Sequence, residues 1–294
     1  ASERYAANFG CNHESIRDTM DCLRDMPGYV LAEVAQSLHE WHKDPVVMFP
    51  PAVEPADTEE PFLTSDPWTL SSDKPWITGI TSGEGAFKAY DLEKAHITEL
   101  NEDFEMVGPL TLMFRTTAPD PLHTALTIKK FYFLDSDIQP ENIEGLTNMY
   151  TDSWFMYPAL ESFRRHKGPK YLYFFDYRGV NSVVPRCQDV SHFDDMQYYF
   201  PMDHFFKNFN TSSEDNKISE KLVELWTNFA IQGKPTSDTS DITWTEAVTS
   251  SEYLHIKREG FVMDKHLLED RDTFWSKLQY REKYSLEVKS KDEL

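Results

Sequence analysis

No stretch of about 18 consecutive apolar residues occurs in this 294-residue chain, so no segment reads as a membrane-spanning helix. Basic residues are scarce: 29 lysines and arginines stand against 50 acidic residues, a formal net charge of -21. Such a field repels phosphate backbones and anionic membrane surfaces, which excludes nucleic acid as a partner. The 11 glycines form no phosphate-cradling loop, and none frames a serine in the pattern G-x-S-x-G. Cysteine falls to 3, without a C-x-x-C pair, and His13, His39, His42, His123 and His266 lie at no metal-ligand spacing. Nothing in these residues calls for a cofactor or a metal. Internal repeats and low-complexity tracts are missing as well. The first residues, Ala1 to Tyr5, include neither a methionine nor an apolar leader, as expected of a processed start.

What is present is an apolar fraction of 40%, enough for one large core or two smaller ones. Residues 12–24 read as a short helix capped by Asn12, with Ile16, Met20 and Leu23 on one face, ended by Pro27–Gly28. A second helix to about Trp41 places Val30, Val34 and Leu38 on a buried stripe, and the two helices together read as a layer over a sheet. The acidic, proline-rich stretch 44–73 reads as a structured loop. Two segments read as buried parallel strands: Pro75 to Thr81, and the aromatic run Lys170 to Tyr177. Between them, helices are expected at Tyr90–Leu100, from Pro140–Glu141, and over Ser153–Arg165 with Phe155, Ala159 and Phe163 on one side. That interval is too long for a simple crossover and reads as an excursion over the strands' carboxyl ends, where pockets are walled. An aromatic helical run is expected over Met196–Phe209. An amphipathic helix carries Ile218, Leu222, Leu225 and Phe229 and stops at Gly233. An edge strand Tyr253–Ile256 and a final helix from about Leu267 to Lys283 complete the pattern.

Each strand ends near one ionisable group. Glu84 lies between Gly83 and Gly85 just past the first strand, and His192 follows the second in the loop Gln188–Asp195. Histidine titrates near neutral pH, and a carboxylate that accepts from one ring nitrogen leaves the other free to take a proton from a nucleophile. The pair therefore reads as two members of a nucleophilic triad, against the plainer reading of a solvated turn carboxylate and a loop histidine. Ser82 and Ser191 lack the glycine framing of a nucleophile elbow. Asp195 is placed to hydrogen-bond behind the histidine.

Lys291–Asp292–Glu293–Leu294 matches a retention address read by a receptor in the endoplasmic reticulum lumen. Its use requires entry into the lumen, so either a signal was removed directly before Ala1 or Ala1 opens the second piece of a longer precursor. Cys11 and Cys22 would close a small loop worth about 2 to 3 kcal/mol. Cys187 would then be a buried apolar thiol, with an interchain bond as the alternative. Asn210–Thr211–Ser212 is a glycosylation acceptor.

Several stretches, in order, resemble the C-terminal half of a type-B carboxylesterase, the cholinesterase-like branch of the α/β hydrolases, and most closely its insect members. They are Phe9–Gly10–Cys11 with Cys22–Leu23–Arg24, Gly79 through Glu84–Gly85, Tyr171 to Arg178, Gly179 through His192–Asp195, Trp226 to Ala230 with Gly233–Pro235, and Phe274–Trp275. The resemblance implies an α/β fold: the C-terminal half of an α/β-hydrolase domain, a mostly parallel sheet with helical excursions, completed by an N-terminal partner chain from the same precursor. Within it, residues 1–43 hold the helices and small disulfide loop and 44–85 the strand leading to Glu84. The excursion and pocket wall occupy 86–169, the second strand, His192 loop and last helices 170–290, and the retention signal 291–294. The resemblance makes Glu84 the triad acid, His192 the base, Asp195 the acid behind them, and Cys11–Cys22 the family's small-loop disulfide. It implies hydrolysis of a small apolar ester through an acyl-enzyme, with the serine and oxyanion hole in the N-terminal half and no activity from this chain alone. The competing implication is a non-catalytic relative acting as a binding, carrier or storage protein.

Overall fold

The computed structural model describes residues 2–206, 213–248 and 252–279. A four-stranded sheet lies at its centre, in the order β1 (Trp76–Thr81), β2 (Lys170–Phe175), β3 (Glu252–Lys257), β4 (Gly260–Lys265). β1 and β2 run parallel in continuous register from Trp76↔Lys170 to Thr81↔Phe175, and β2 and β3 are also parallel. β4 turns back antiparallel on β3 through a two-residue hairpin ending at Gly260, whose φ of 144° is open to glycine. Among the described residues no strand pairs with the other edge of β1.

The aromatic run of β2 is explained by burial on both faces. Leu172 and Phe174 join Ile80 and Tyr253 in one core, beneath the helices of the excursion. Tyr171 and Phe175 join Leu254 and Ile256 in a second, beneath α10 (Ser213–Gln232), whose Ile218, Leu222 and Leu225 are buried. The helices before the sheet are α1 (Ser2–Ala7), α2 (Ile16–Arg24) and α3 (Gly28–Val34). The excursion between β1 and β2 consists of α4 (Ala86–Ala89), α5 (Lys94–Glu102), α6 (Phe104–Thr111), α7 (Pro121–Phe133), α8 (Ile143–Thr151) and α9 (Tyr157–Arg165). A π-helical turn, Asp152–Met156, joins α8 to α9, and α11 (Glu269–Lys277) packs against both that turn and α9.

Two buried ionic clusters hold this layer. Asp152 is fully buried and receives Arg271 Nε at 2.7 Å together with Arg271 Nη2 and the Tyr132 hydroxyl. Trp275 Nε1 donates in turn to Tyr132 Oη at 2.7 Å, and Arg271 Nη1 to Asn148 Oδ1 at 2.9 Å. Burial pushes the Asp152 carboxyl above its ordinary pKa, against the pull of Arg271. In the second cluster Lys88 of α4 donates to Asp44 Oδ2 at 2.8 Å, and Thr111 donates to the same oxygen at 2.7 Å. Burial lowers the Lys88 pKa, opposed by Asp44.

Several expectations are corrected. The helix expected over 12–24 is α2, which begins at Ile16 and is capped by Ser15 in place of Asn12, because the Ser15 hydroxyl accepts from Asp18 N. It buries none of its residues, and of Val30, Val34 and Leu38 only Leu38 is buried, so these helices do not form a layer over the described sheet. Met196–Phe206 is not a helix: a 3₁₀ turn, Met196–Tyr198, is followed by turns and non-helical chain through Phe206, and residues 207–209 of the expected run lie outside those described. β3 is an interior strand, because β4 covers its far side. Among the described residues the last helix is Glu269–Lys277, and residues 280–283 of the expected helix lie outside those described. Asn210 and the retention signal Lys291–Leu294 lie outside the described residues.

The Cys11–Cys22 disulfide is formed, with Cα atoms 5.6 Å apart. Cys187 is a free, buried thiol packed with Ala86 and Val184. No described helix is long and apolar enough to cross a membrane.

Candidate active site

Glu84 occupies the turn from β1 into α4, and the glycines beside it serve close approach. A Cβ on Gly85 would lie 2.4 Å from Thr147 O and 2.5 Å from Thr151 N, so only glycine lets α8 pack against the turn. The Gly85 N–H donates to Thr151 Oγ1 at 2.9 Å. On the opposite side a Cβ on Gly83 would meet Asp189 at 2.6 Å, and the Gly83 N–H donates to Val190 O at 2.8 Å. The turn is thus clamped between α8 and the loop that carries His192.

That loop is held by its own buried acid. Asp194 accepts from Ser182 Oγ at 2.6 Å, Val183 N at 2.6 Å and Ser191 N at 2.9 Å. Burial raises its pKa against these donors. Ser82 is committed to structure, its hydroxyl accepting from Val190 N at 3.0 Å, and Ser191 is fully buried. Phe193 adopts a φ of 79°, which side chains with a Cβ seldom take, beside the candidate base.

Glu84 and His192, 108 positions apart in sequence, meet in the structure. His192 Nδ1 lies 2.6 Å from Glu84 Oε2, while Glu84 Oε1 accepts the Thr81 N–H at 2.8 Å. Glu84 is 5% exposed, whereas the His192 side chain retains 46% exposure. Burial of the imidazole opposes its protonation. The hydrogen bond and charge of Glu84, with the charges of Asp195 and Asp194, outweigh that effect and raise the His192 pKa above the ordinary 6.5. Asp195 is buried behind the pair and accepts from the Tyr173 hydroxyl at 3.3 Å, so its effect on His192 is one of charge. Burial first, then the Glu84 charge, push its pKa up to about 6.

A groove of about 550 Å³ is lined by Trp76, Gly79, Ile80 and Glu84, by Trp154, Phe155, Pro158 and Ala159, and by Tyr173, Phe193 and Met196. His192 and Asp195 line it as well. Sequence reasoning overlooked the loop anchor Asp194 and the aromatic rings against His192. Asp152, an acid just ahead of the apolar run Trp154–Tyr157, was the available sign that this helix is locally special.

A mostly parallel sheet between helical layers, with an acid and a histidine meeting past two adjacent strand ends, defines an α/β-hydrolase-like fold. Juvenile hormone esterase from Manduca sexta, solved with OTFP covalently attached, shares it: the TM-score is 0.74 at 23% identity, covering 93% of this chain and 55% of that one. The model of the carboxylesterase family matches residues 1–275, and the chain belongs to that family. It is 26% identical over 305 residues to a carboxylic ester hydrolase of Bombus ignitus, covering 96% of this chain and 53% of that protein. To juvenile hormone esterase of Tribolium castaneum it is 27% identical, with coverages of 95% and 55%. The chain thus spans about half the length of the relatives it matches.

Proposed function

We propose that this chain supplies the acid and the base of a carboxylic ester hydrolase. The observation that carries this reading is the 2.6 Å contact between His192 Nδ1 and the buried Glu84. With Nδ1 committed to Glu84, Nε2 is the nitrogen left to accept a proton. A serine from the N-terminal half of the same precursor loses its proton to His192 and attacks the ester carbonyl. The imidazolium then protonates the departing alcohol, and water activated by the same histidine releases the acid. The apolar groove walls favour a small apolar ester. Support for the N-terminal half comes from the relatives' greater length, from the groove, and from the edge of β1 that pairs with no strand among the described residues. The Cys11–Cys22 disulfide supports a site of action in the secretory pathway.

The test is reconstitution. This chain is mixed or co-expressed with the N-terminal half, and a fluorophosphonate probe reports the activated serine. Labelling and ester turnover should appear only with both halves present and be lost in His192→Ala. Turnover by this chain alone, or no labelling after assembly, overturns the reading.

The raised His192 pKa sets the pH response. Only the neutral imidazole accepts the serine proton, so activity falls as pH drops through that pKa. Titrated by NMR in this chain, the His192 ring should have its midpoint above about 6.5, and the activity of the assembled enzyme should fall as pH drops through the base's own pKa; a midpoint at or below about 6.5 in this chain contradicts it.

A further inference from the structure

His192 is gripped by more than its acid. The Phe155 ring stacks on the imidazole with centroids 4.4 Å apart and planes 29° from parallel, and Phe87 approaches the same ring at 5.6 Å. Phe155 belongs to the π-helical turn Asp152–Met156. Such turns insert an extra residue, re-aim the side chains that follow, and recur at functional sites. Here the members before Phe155 are each pinned. Asp152 is held by Arg271 and Tyr132, the Ser153 hydroxyl donates to Leu112 O at 2.9 Å, and Trp154 Nε1 donates to Thr111 O at 2.8 Å. Phe155 is the member of the turn that stacks on the imidazole.

A single hydrogen bond from Nδ1 to Glu84 fixes one ring atom but leaves the imidazole free to swing about that bond. The side chain's 46% exposure means that enclosure does not remove this freedom. A stacked aromatic face does. Resting on the reading of His192 as the base, we propose that Phe155 is a positioning residue. It fixes the imidazole plane so that Nδ1 stays on Glu84 and Nε2 stays in the groove, and its π face stabilises the ring while it carries the proton. The π turn, secured by the Asp152 cluster, sets that stack.

The experiment is NMR of this chain with isotope-labelled histidine, comparing the parent with Phe155→Leu, Phe155→Met and Phe155→Tyr. Leucine and methionine keep apolar bulk without a ring, and tyrosine restores the ring. The carbon-bound protons of His192 should show an upfield ring-current displacement, with a sharp downfield Nδ1–H resonance. Both features should be lost in Phe155→Leu and Phe155→Met and kept in Phe155→Tyr, while the His42 and His255 signals hold still and report an intact fold. Unchanged His192 signals in the Leu and Met variants overturn the proposal. In the assembled enzyme, Phe155→Leu should lower kcat about 10-fold with little change in KM, the mark of a misaimed base. An unchanged kcat also overturns it. The spectra need no serine, so an inactive assembly showing the expected spectra counts against the ester hydrolase reading and leaves the stacking in place.

Discussion

Glu84→Gln in the assembled enzyme is expected to lower kcat by on the order of 10⁴-fold while leaving the fold intact. The surroundings dictate which way the new amide points. Thr81 N–H already donates to the Oε1 position, so the amide oxygen settles there and the amide nitrogen turns toward His192 Nδ1. That nitrogen donates, which forces Nδ1 to accept and places the ring proton on Nε2, the wrong tautomer for a base. His192→Ala, which removes the proton acceptor outright, should cost on the order of 10⁶-fold. Steady-state ester hydrolysis with single-turnover acylation measures both. A Glu84→Gln enzyme within tenfold of the parent would remove Glu84 from the catalytic role.

Arg271→Ala should be the most destabilising single change outside the site, costing about 3–5 kcal/mol at neutral pH in denaturant unfolding. The arginine balances a carboxylate that is fully buried, and its removal strands Asp152 among Tyr132, Trp275 and apolar side chains. Asp152 then ionises only at a cost or takes up a proton. The penalty should therefore shrink as pH falls, since the protonated acid no longer needs a counter-charge. The double replacement Asp152→Leu with Arg271→Met should recover much of the loss. A single-variant penalty below about 1 kcal/mol, independent of pH, would show that the pair contributes nothing beyond its surface neighbours.

The parts of the molecule legible in sequence were those where one physical demand dominates. β2 is readable because a strand buried on both faces must be apolar throughout, and α10 because its spacing leaves a single face for the core. Glu84 and His192 are readable because glycines and small residues mark sharp turns at strand ends. The failures have physical reasons too. Over Met196–Phe206 the aromatic residues serve separate packing tasks: Tyr198 is buried against Phe175, and Phe193 meets Phe205. Apolar density there imitates a helix without being one. The hairpin partner β4 escaped notice because Asp264 and Lys265 dilute its pattern on an exposed edge. In α2 the periodicity identifies an apolar face correctly but not its cover, for Ile16 and Met20 remain exposed among the described residues. α7 opens on Asp120–Pro121, a cap and first-turn proline that could have located it.

The cross-links between the Glu84 turn and the His192 loop bear on how accurately two halves of a site must meet. Ser82 N donates to Phe175 O at 3.0 Å, Gly83 N to Val190 O, and Val190 N to Ser82 Oγ at 3.0 Å, so Glu84 and His192 share one hydrogen-bonded frame within this chain. Had the two belonged to different halves, every error in docking would have entered two distances at once and been multiplied along the proton's path. On the proposed two-chain reading, misfit between the halves would be confined to one gap, that between Nε2 and an incoming oxygen. A small translation at the interface can close it. On the two-chain reading proposed above, a proton-transfer site divided between two pieces would gain tolerance of this kind.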